Sequence, residues 1–177
     1  SIHRFLPNGS RDTSFGGGDG IVRLLDLVGT YSPAVNQFAE FPDGGIAATV
    51  VDGSSWWIVR LDSSGSADTG FSGDGILSGP WKALARRMGT NDLVVAGRNA
   101  SGQLILGRLD ATGALVTSFG SGGTVTSFSI DDGDSMEVVI QCDGKMLVGI
   151  GKSDGFVVAR FLSDGSPDSS FGASGVF

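Results

Sequence analysis

A fourfold internal repeat is the feature that most constrains what this chain of 177 residues can fold into. Its clearest copy runs from Ala159 to Val176 and reads A-R-F-L-S-D-G-S-P-D-S-S-F-G-A-S-G-V, and related stretches begin at His3, Val59 and Gly107. The matching residues in the four copies are Arg4, Arg60, Arg108 and Arg160, and Phe15, Phe71, Phe119 and Phe171. The arginines lie 56, 48 and 52 residues apart. A period of about fifty residues indicates propellers, solenoids or other repeat arrays.

The composition favours strands joined by tight turns. The chain has 30 glycines, and of its 19 acidic residues only Glu40 and Glu137 are glutamates. Asp and Gly favour turns, whereas Glu favours helices. No stretch keeps a helical periodicity over about ten residues or more. The sequence therefore predicts an all-β protein that is rich in turns.

The stretches between the copies predict a second hairpin in every unit. Asp43-Gly44 and Asp143-Gly144 supply two of the turns, because Asp-Gly accepts the positive φ of tight hairpins. The middle unit has the longer loop Gly89 to Asp92, which we expect to be irregular. If the strands of a unit are named A to D, the prediction is C-D followed by three A-B-C-D units, fourteen strands in all. Pro80 to Met88 is locally compatible with a helix but is predicted as a strand A, because it stands where the other units place one.

Several strands are apolar on both faces, such as Trp56 to Val59 and Leu104 to Leu106. This pattern suits sheets that are packed between neighbouring sheets, as the blades of a propeller are. We expect one all-β domain over residues 1–177, a propeller-type repeat of four-stranded antiparallel blades with about three and a half units. The predicted boundaries are a half-unit at 1–27 and units at 34–79, 81–128 and 134–177.

The unit count raises the question of how the blades close into a ring. Propellers close with roughly 4 to 8 blades, and joining two such chains would place C-D beside C-D. We therefore expect the chain to be part of a longer propeller, an open arc that a partner completes, or a segment of an assembly. Because it starts at Ser1 and not at a methionine, we also expect that a leader or a larger parent protein has been removed.

Three of the four copies place an aspartate eight residues after the arginine. The pairs are Arg4 with Asp12, Arg60 with Asp68, and Arg160 with Asp168, while the third copy has Val116 instead. An arginine between apolar strand residues requires a partner, since burying it unpaired is costly. We predict a structural ion pair, or a set of Arg-to-carbonyl bonds, that fixes the link between strands C and D. The repeated phenylalanines are predicted to anchor the links between blades.

Several classes of chemistry are disfavoured. A net charge of −7 with only three lysines argues against nucleic-acid binding, which requires a basic surface. The one histidine, His3, is too few for a Ser/His/Asp triad or a zinc site, so we predict no catalytic residue and no cofactor. The single Cys142 excludes an internal disulfide framework and is predicted to lie buried in an apolar strand. No apolar run reaches the roughly 20 residues that span a bilayer.

Two groups of residues are weak candidates for ligand binding. Asp131, Asp132, Asp134 and Glu137 share one loop and could hold a cation such as calcium, although a solvated acidic loop is the favoured interpretation. Trp56, Trp57 and Trp81 could stack a sugar or a peptide, although adjacent tryptophans in a sheet with two buried faces are more often core.

The copies resemble the delta-60 repeat family, a family of bacterial β-propeller repeats. The resemblance covers nearly the whole chain and is strongest in Arg160 to Val176, Ile2 to Val22 and Gln141 to Gly149. It implies a propeller fold and an extracytoplasmic location, that is periplasmic, cell-surface or secreted, but no catalytic site. Val116 and Gly45 depart from the family's pattern at turn positions.

We expect a non-enzymatic, extracytoplasmic interaction module, or an accessory or scaffold subunit, that binds a protein or glycan partner through its loops or blade edges. One alternative is a structural subunit of a filament or of a large membrane-associated complex, which would account for a chain that does not close alone. Another is a propeller glycan hydrolase or lyase that uses Asp carboxylates and would need two acids in one pocket.

Overall fold

The computed structural model describes residues 1–29, 32–131, 133 and 135–177. Within them the strands are β1 (Ile2–His3), β2 (Ile21–Val22), β3 (Ala34–Glu40), β4 (Ile46–Asp52), β5 (Ser55–Leu61), β6 (Ile76–Ser78), β7 (Trp81–Arg86), β8 (Leu93–Arg98), β9 (Gln103–Leu109), β10 (Thr124–Ser129), β11 (Ser135–Ile140), β12 (Met146–Lys152) and β13 (Gly155–Phe161). A 3₁₀ turn spans Gly16–Gly18, and one short helix, α1, spans Leu24–Val28. Among the residues described, no helix is long and apolar enough to cross a membrane.

The strands form four antiparallel sheets that follow the chain order, which confirms the predicted all-β, propeller-type fold. A half-blade consists of β1 and β2, the first blade of β3 to β6, the second of β7 to β10, and the third of β11 to β13. In the first two blades the strands are A, B, C and D in sequence, the third blade has A, B and C, and the half-blade as described has C and D. Strand β7 confirms that Pro80 to Met88 contains a strand, because it pairs with β8 over Trp81 to Arg86.

Three details differ from the predicted layout. The last strand D is reduced to a bridge between Ala159 and Val176. The first strand C, predicted around His3 to Leu6, spans Ile2–His3, and Phe5 pairs with Arg11 in a single bridge beyond it. Cys142 is exposed, so the prediction of a buried cysteine was wrong. It lies in the turn between β11 and β12 and not in a strand.

The chain divides into two compact units, each with its own core. Unit 1 is Ser1–Gly79 and holds the half-blade and the first blade, and unit 2 is Pro80–Phe177 and holds the second and third blades. Core residues of unit 1 come from both of its sheets: Phe15, Val22, Leu24, Ala48, Val50, Val59 and Leu61. Core residues of unit 2 likewise come from both sheets and include Val94, Leu106, Phe119, Val138, Met146 and Phe161.

The link of one blade packs against the C-D turn of the next in both units. Gly65 has a φ of +83°, and a Cβ there would lie 2.9 Å from the Phe15 ring. In unit 2 the equivalent Gly165 has a φ of +93°, and a Cβ would lie 2.9 Å from the Phe119 ring. Glycine is required here because the backbone is left-handed and the aromatic ring leaves no room for a side chain. Phe15 and Phe119 therefore each lie where the link of one blade meets the C-D turn of the next.

Candidate functional site

Each repeat arginine lies beside the link between strands C and D. The Arg4 and Arg160 Nε atoms donate to Asp12 and Asp168 at 2.8 Å, and their guanidinium groups lie 4.4 and 4.5 Å from the Phe15 and Phe171 ring centroids. These two clusters have nearly the same geometry, and the predicted ion pair is present in both. The Arg60 Nε lies farther from Asp68, at 3.6 Å, and the Arg60 guanidinium stacks 3.5 Å from the Phe41 ring centroid.

The A-B turn of every complete blade reaches this cluster, which the sequence reasoning missed. Asp43 lies 3.6 Å from Arg60, the Lys145 amine lies 3.1 Å from Asp168, and Asp92 accepts two bonds from Arg108. The second blade has Val116 at the position of the link aspartate, and Asp92 provides the carboxylate partner of Arg108 instead. The signal was present in the sequence, because the copy that lacks the link aspartate has Asp92 directly before strand B, where the other two turns have Gly45 and Lys145. For the half-blade, the described residues include strands C and D and no A-B turn.

Hydrogen bonds hold the link and turn aspartates in their charged form. The Ser14 hydroxyl and backbone N–H, together with Arg4, lower the pKa of Asp12. The Ser170 hydroxyl, Lys145 and Arg160 lower the pKa of Asp168 strongly. In the C-D turns the pKa values of three further aspartates are lowered by a hydroxyl group two residues later in the chain. The pairs are Asp62 with Ser64, Asp110 with Thr112, and Asp164 with Ser166. These carboxylates are tied into the backbone and act as structural acceptors.

The half-blade leaves an edge and a face uncovered in unit 1. Strand C pairs with strand B in every complete blade, so that Leu61 lies opposite Ile46, Leu109 opposite Leu93, and Phe161 opposite Met146. These three C-strand residues are 0–1% exposed. Phe5 is their equivalent on the half-blade, where β2 is the one neighbour of β1 in the described structure, and it is 57% exposed.

Strand A of the first blade, β3, also has an exposed apolar residue where a neighbouring blade would cover it. Phe38 on β3 and Val138 on β11 occupy equivalent register positions, opposite Ala48 and Val148. Val138 is 4% exposed because β11 packs against β7 and β8 of the preceding blade. Phe38 is 71% exposed, and in the described residues the sheet that precedes it consists of β1 and β2 alone.

A cavity of about 480 Å³ occupies the space between these two elements. Its walls come from the half-blade and from strands A and B of the first blade, and include Ile2, His3, Phe15, Val35, Phe38 and Ile46. Arg4 and Gly44 also line it, so the repeat ion cluster lies at its margin. An apolar cavity beside an open strand edge is suited to binding an extended segment of chain. We call Phe5, Phe38 and the residues that line this cavity the open face.

The weak ligand candidates of the sequence do not join this face. Asp131 and Glu137 are exposed, and Asp132 and Asp134 lie outside the described residues. The part of the chain that the structure describes holds no group of three or more His, Cys, Asp or Glu side chains arranged for a metal ion. Trp81 is buried, whereas Trp56 and Trp57 are half-buried neighbours on β5. Successive strand residues point to opposite faces, so Trp56 and Trp57 do not form one stacking surface.

Comparisons with known proteins bear on the fold and not on a ligand. A profile described as a β-propeller domain of unknown function, DUF5122, matches residues 141–171. This stretch runs from the A-B turn of the third blade to Phe171 in its C-D link. Over it the chain is similar to a β-propeller repeat family. No curated protein matches the chain.

Proposed function

We propose that this protein is a non-enzymatic interaction module, or a scaffold subunit, that binds a protein partner through the open face of unit 1. The observation that carries this proposal is the exposure of Phe5 and Phe38 around an apolar cavity, at positions whose equivalents are buried in the complete blades. Exposed apolar surface of this kind marks interaction sites in soluble proteins. Because the blade beneath it is held by its own core, the face is presented on a rigid support.

The hydrogen bonding of the aspartates supports a role outside catalysis. A glycan hydrolase requires one carboxyl group with a raised pKa to act as a general acid. The pKa values of Asp12, Asp62, Asp110, Asp164 and Asp168 are lowered instead, by bonds within their own turns. The open face combines the exposed rings of Phe5 and Phe38 with aliphatic residues of the cavity, an apolar surface that suits a protein partner.

The proposed location is extracytoplasmic, in a bacterial periplasm, on a cell surface or in the secreted fraction. It rests on the resemblance of the four copies to the delta-60 repeats. Fractionation of cells that produce the protein, followed by immunoblotting, tests it. Recovery in the cytoplasmic fraction alone would overturn the location without affecting the binding proposal.

A photo-crosslinking experiment tests the binding proposal. A benzoyl-phenylalanine placed at Phe38 is a conservative change, because the native residue is aromatic and exposed. The matched control carries the same group at Met88, which is 74% exposed in unit 2. We expect a discrete protein adduct from position 38 and none from position 88. Equal labelling from both positions, or no adduct from position 38, would contradict the proposal.

A second candidate function is a structural subunit of a filament or large complex. The open strand edge at β1 favours it, since unpaired edges template further strand pairing. Light scattering on the purified chain separates the two. A regular series of larger species favours the structural subunit, and a monomer that binds a separate partner favours the interaction module.

A further inference from the structure

Another cavity lies within unit 2 and shares no residue with the open face. Its volume is about 710 Å³, and it lies between the C-D link of the second blade, strand β10 and the C-D turn of the third blade. The Gly120 N–H donates to the Asp164 carbonyl oxygen at 2.9 Å, and this bond joins the link to the turn. Val125 packs against both segments, since a Cβ at Gly120 or Gly165 would overlap its side chain. The cavity is therefore formed on a fixed backbone frame, and we call it the hydroxyl groove.

Five hydroxyl groups line this groove, and most of them are not used by the fold. They belong to Ser118, Ser121, Thr124, Thr126 and Ser166. Within the described part of the chain, the hydroxyls of Ser118, Ser121 and Thr126 make no hydrogen bond, and all three residues are exposed. Thr124 is half-buried, and its hydroxyl donates a long bond of 3.4 Å to the Ser121 carbonyl oxygen. Because a hydroxyl group both donates and accepts, this lining can bond to a ligand in either sense.

The carboxylate of Asp164 lies beside these hydroxyls. It accepts from the Ser166 N–H at 2.9 Å and from the Ser166 hydroxyl at 2.7 Å. Both bonds use Oδ1, which leaves Oδ2 available. The bonds from Ser166 lower the pKa of Asp164, so its carboxylate is charged at neutral pH. A charged acceptor with an available oxygen forms strong hydrogen bonds to a donor in the groove.

Two of these polar groups occur in this copy of the repeat and in no other. The equivalents of Thr124 are Ile21, Ile76 and Val176, and those of Asp164 are Asn8, Ser64 and Thr112. Unit 1 has the same backbone frame, because the Gly16 N–H donates to the Ser64 carbonyl oxygen at 2.8 Å. The frame therefore forms without Thr124 and Asp164. A side chain that the repeat fold does not require, in a groove, is a candidate for ligand binding.

The set of donors and acceptors favours a sugar over other ligands. Two adjacent hydroxyls of a sugar ring can donate to one carboxylate, while the hydroxyls of the groove bond to the neighbouring sugar oxygens. The residues that line the groove include no lysine, arginine or histidine, so a phosphate would meet the charge of Asp164 without a cationic partner there. A peptide strand is disfavoured, because the β10 edge has a register shift between Thr126 and Ser129.

We propose that the hydroxyl groove binds a neutral saccharide residue. The Asp164 carboxylate accepts from two adjacent sugar hydroxyls, the Ser121 and Thr124 hydroxyls bond to the flanking sugar oxygens, and Val125 contacts the CH groups of the ring. This inference goes beyond the proposed function, because the open face takes no part in it.

Amide NMR spectra of the full chain test this proposal, with glucose, galactose, mannose and N-acetylglucosamine as the probes. These four sugars present adjacent hydroxyls in different axial and equatorial arrangements. The lining residues include no aromatic ring on which a sugar could stack, so the titrations extend to high millimolar concentrations. We expect saturable shifts in residues 118–126 and 164–166 with at least one of the sugars. Absence of saturable shifts there with all four would overturn the proposal.

Asp164→Asn tests the carboxylate. It keeps the Oδ1 acceptor and removes the charge, and Asn8 forms the same turn in the first copy by accepting from Ser10, so the variant should fold. We expect it to weaken sugar binding about tenfold. The matched control is Asp74→Asn in unit 1, where the Asp74 Oδ1 accepts from the Ile76 N–H in a similar turn. The control should leave the affinity unchanged.

Thr124→Val tests the hydroxyl lining. It removes one hydroxyl and keeps the branched shape that Val176 has at the equivalent position of the fourth copy. We expect sugar binding to weaken several-fold. Sugar binding that Asp164→Asn and Thr124→Val leave unchanged would overturn the site, and so would an equal loss in Asp74→Asn. Calcium is titrated in parallel, because a carboxylate and hydroxyls can also coordinate a cation. Shifts in the groove that calcium produces and the sugars do not would make it a cation site and overturn the proposal.

Discussion

Units 1 and 2 contain the same repeat, and they differ in what precedes strand A. In unit 2 a complete blade precedes β11, and the face that includes Val138 and Met146 is buried. In unit 1 a half-blade precedes β3, and the equivalent Phe38 is exposed while Ile46 is half-buried. The comparison shows that a blade does not bury its own strand A. Cover comes from strands A and B of its neighbour, so a half-blade leaves two elements uncovered, its own strand C and the next strand A.

The comparison also shows that strands C and D are sufficient to form the packing of the C-D link. Phe15 is buried against the next C-D turn as Phe119 is, and the Arg4-Asp12 pair has the same length as the Arg160-Asp168 pair. Link packing therefore depends on strands C and D alone. The open face is confined to the side where an A-B hairpin belongs, and this makes it a defined surface and not a general loosening of unit 1.

The largest expected difference in stability is between alanine substitutions at Phe161 and at Phe5. Phe161→Ala removes a side chain that is 1% exposed within the core of unit 2, and we expect a loss of about 3–5 kcal/mol in the free energy of unfolding. Phe5→Ala removes an exposed ring and should change stability by less than about 0.5 kcal/mol. Urea unfolding of the two variants and the native chain measures both. Similar losses would mean that Phe5 is covered in solution and that the open face is closed in the free chain.

A smaller contrast tests whether link packing is the same in both units. Gly65→Ala and Gly165→Ala both place a Cβ against a phenylalanine ring at a positive φ. Gly9, in the half-blade, has a similar φ of +83° but no atom within 4 Å of a built Cβ. We expect Gly9→Ala to cost about 1 to 2 kcal/mol from the backbone alone. The other two should each cost about 1 to 3 kcal/mol more because of the clash.

The thermal unfolding of these three variants is measured side by side, with Gly9→Ala as the control for the backbone effect. If Gly65→Ala is no worse than Gly9→Ala while Gly165→Ala is, the half-blade is not anchored to the first blade. The contrast between the units would then extend beyond the A-B side.

The blades could be predicted from the sequence because their signals are local. The Asp43-Gly44 and Asp143-Gly144 turns each mark a hairpin, and the repeat places the strand at Trp81–Arg86 where local propensity alone would also allow a helix. The open face could not be predicted in this way, because the exposure of Phe38 depends on which strands the preceding blade has. Phe38 and Val138 both read as core positions in a strand.

In the ion clusters, too, the sequence predicts the contacts within one copy and not those between distant strands. The pairs of Arg4 with Asp12 and Arg160 with Asp168 follow from a fixed spacing within one copy. Asp92 and Lys145 approach their partners across the sheet, from a turn that is distant in sequence, and the repeat pattern does not contain that contact. Cys142 was assigned to a strand because its neighbours are apolar, yet it lies in the turn that brings Lys145 to Asp168.

The smallest expected effect concerns the pH dependence of that turn. The folded state holds the pKa of Asp168 below its ordinary value of 3.8, through Ser170, Lys145 and Arg160. A lowered pKa stabilises the fold at pH values above the ordinary value, and this stabilisation is lost as the pH falls through the folded value. Lys145→Met should raise the pKa of Asp168 toward 3.8, so the loss begins at a higher pH. Carboxyl titration by NMR measures this shift directly, with Asp12 as the internal reference, since Ser14 and Arg4 lower its pKa. An unchanged Asp168 titration in Lys145→Met would mean that Lys145 does not hold this carboxylate in solution.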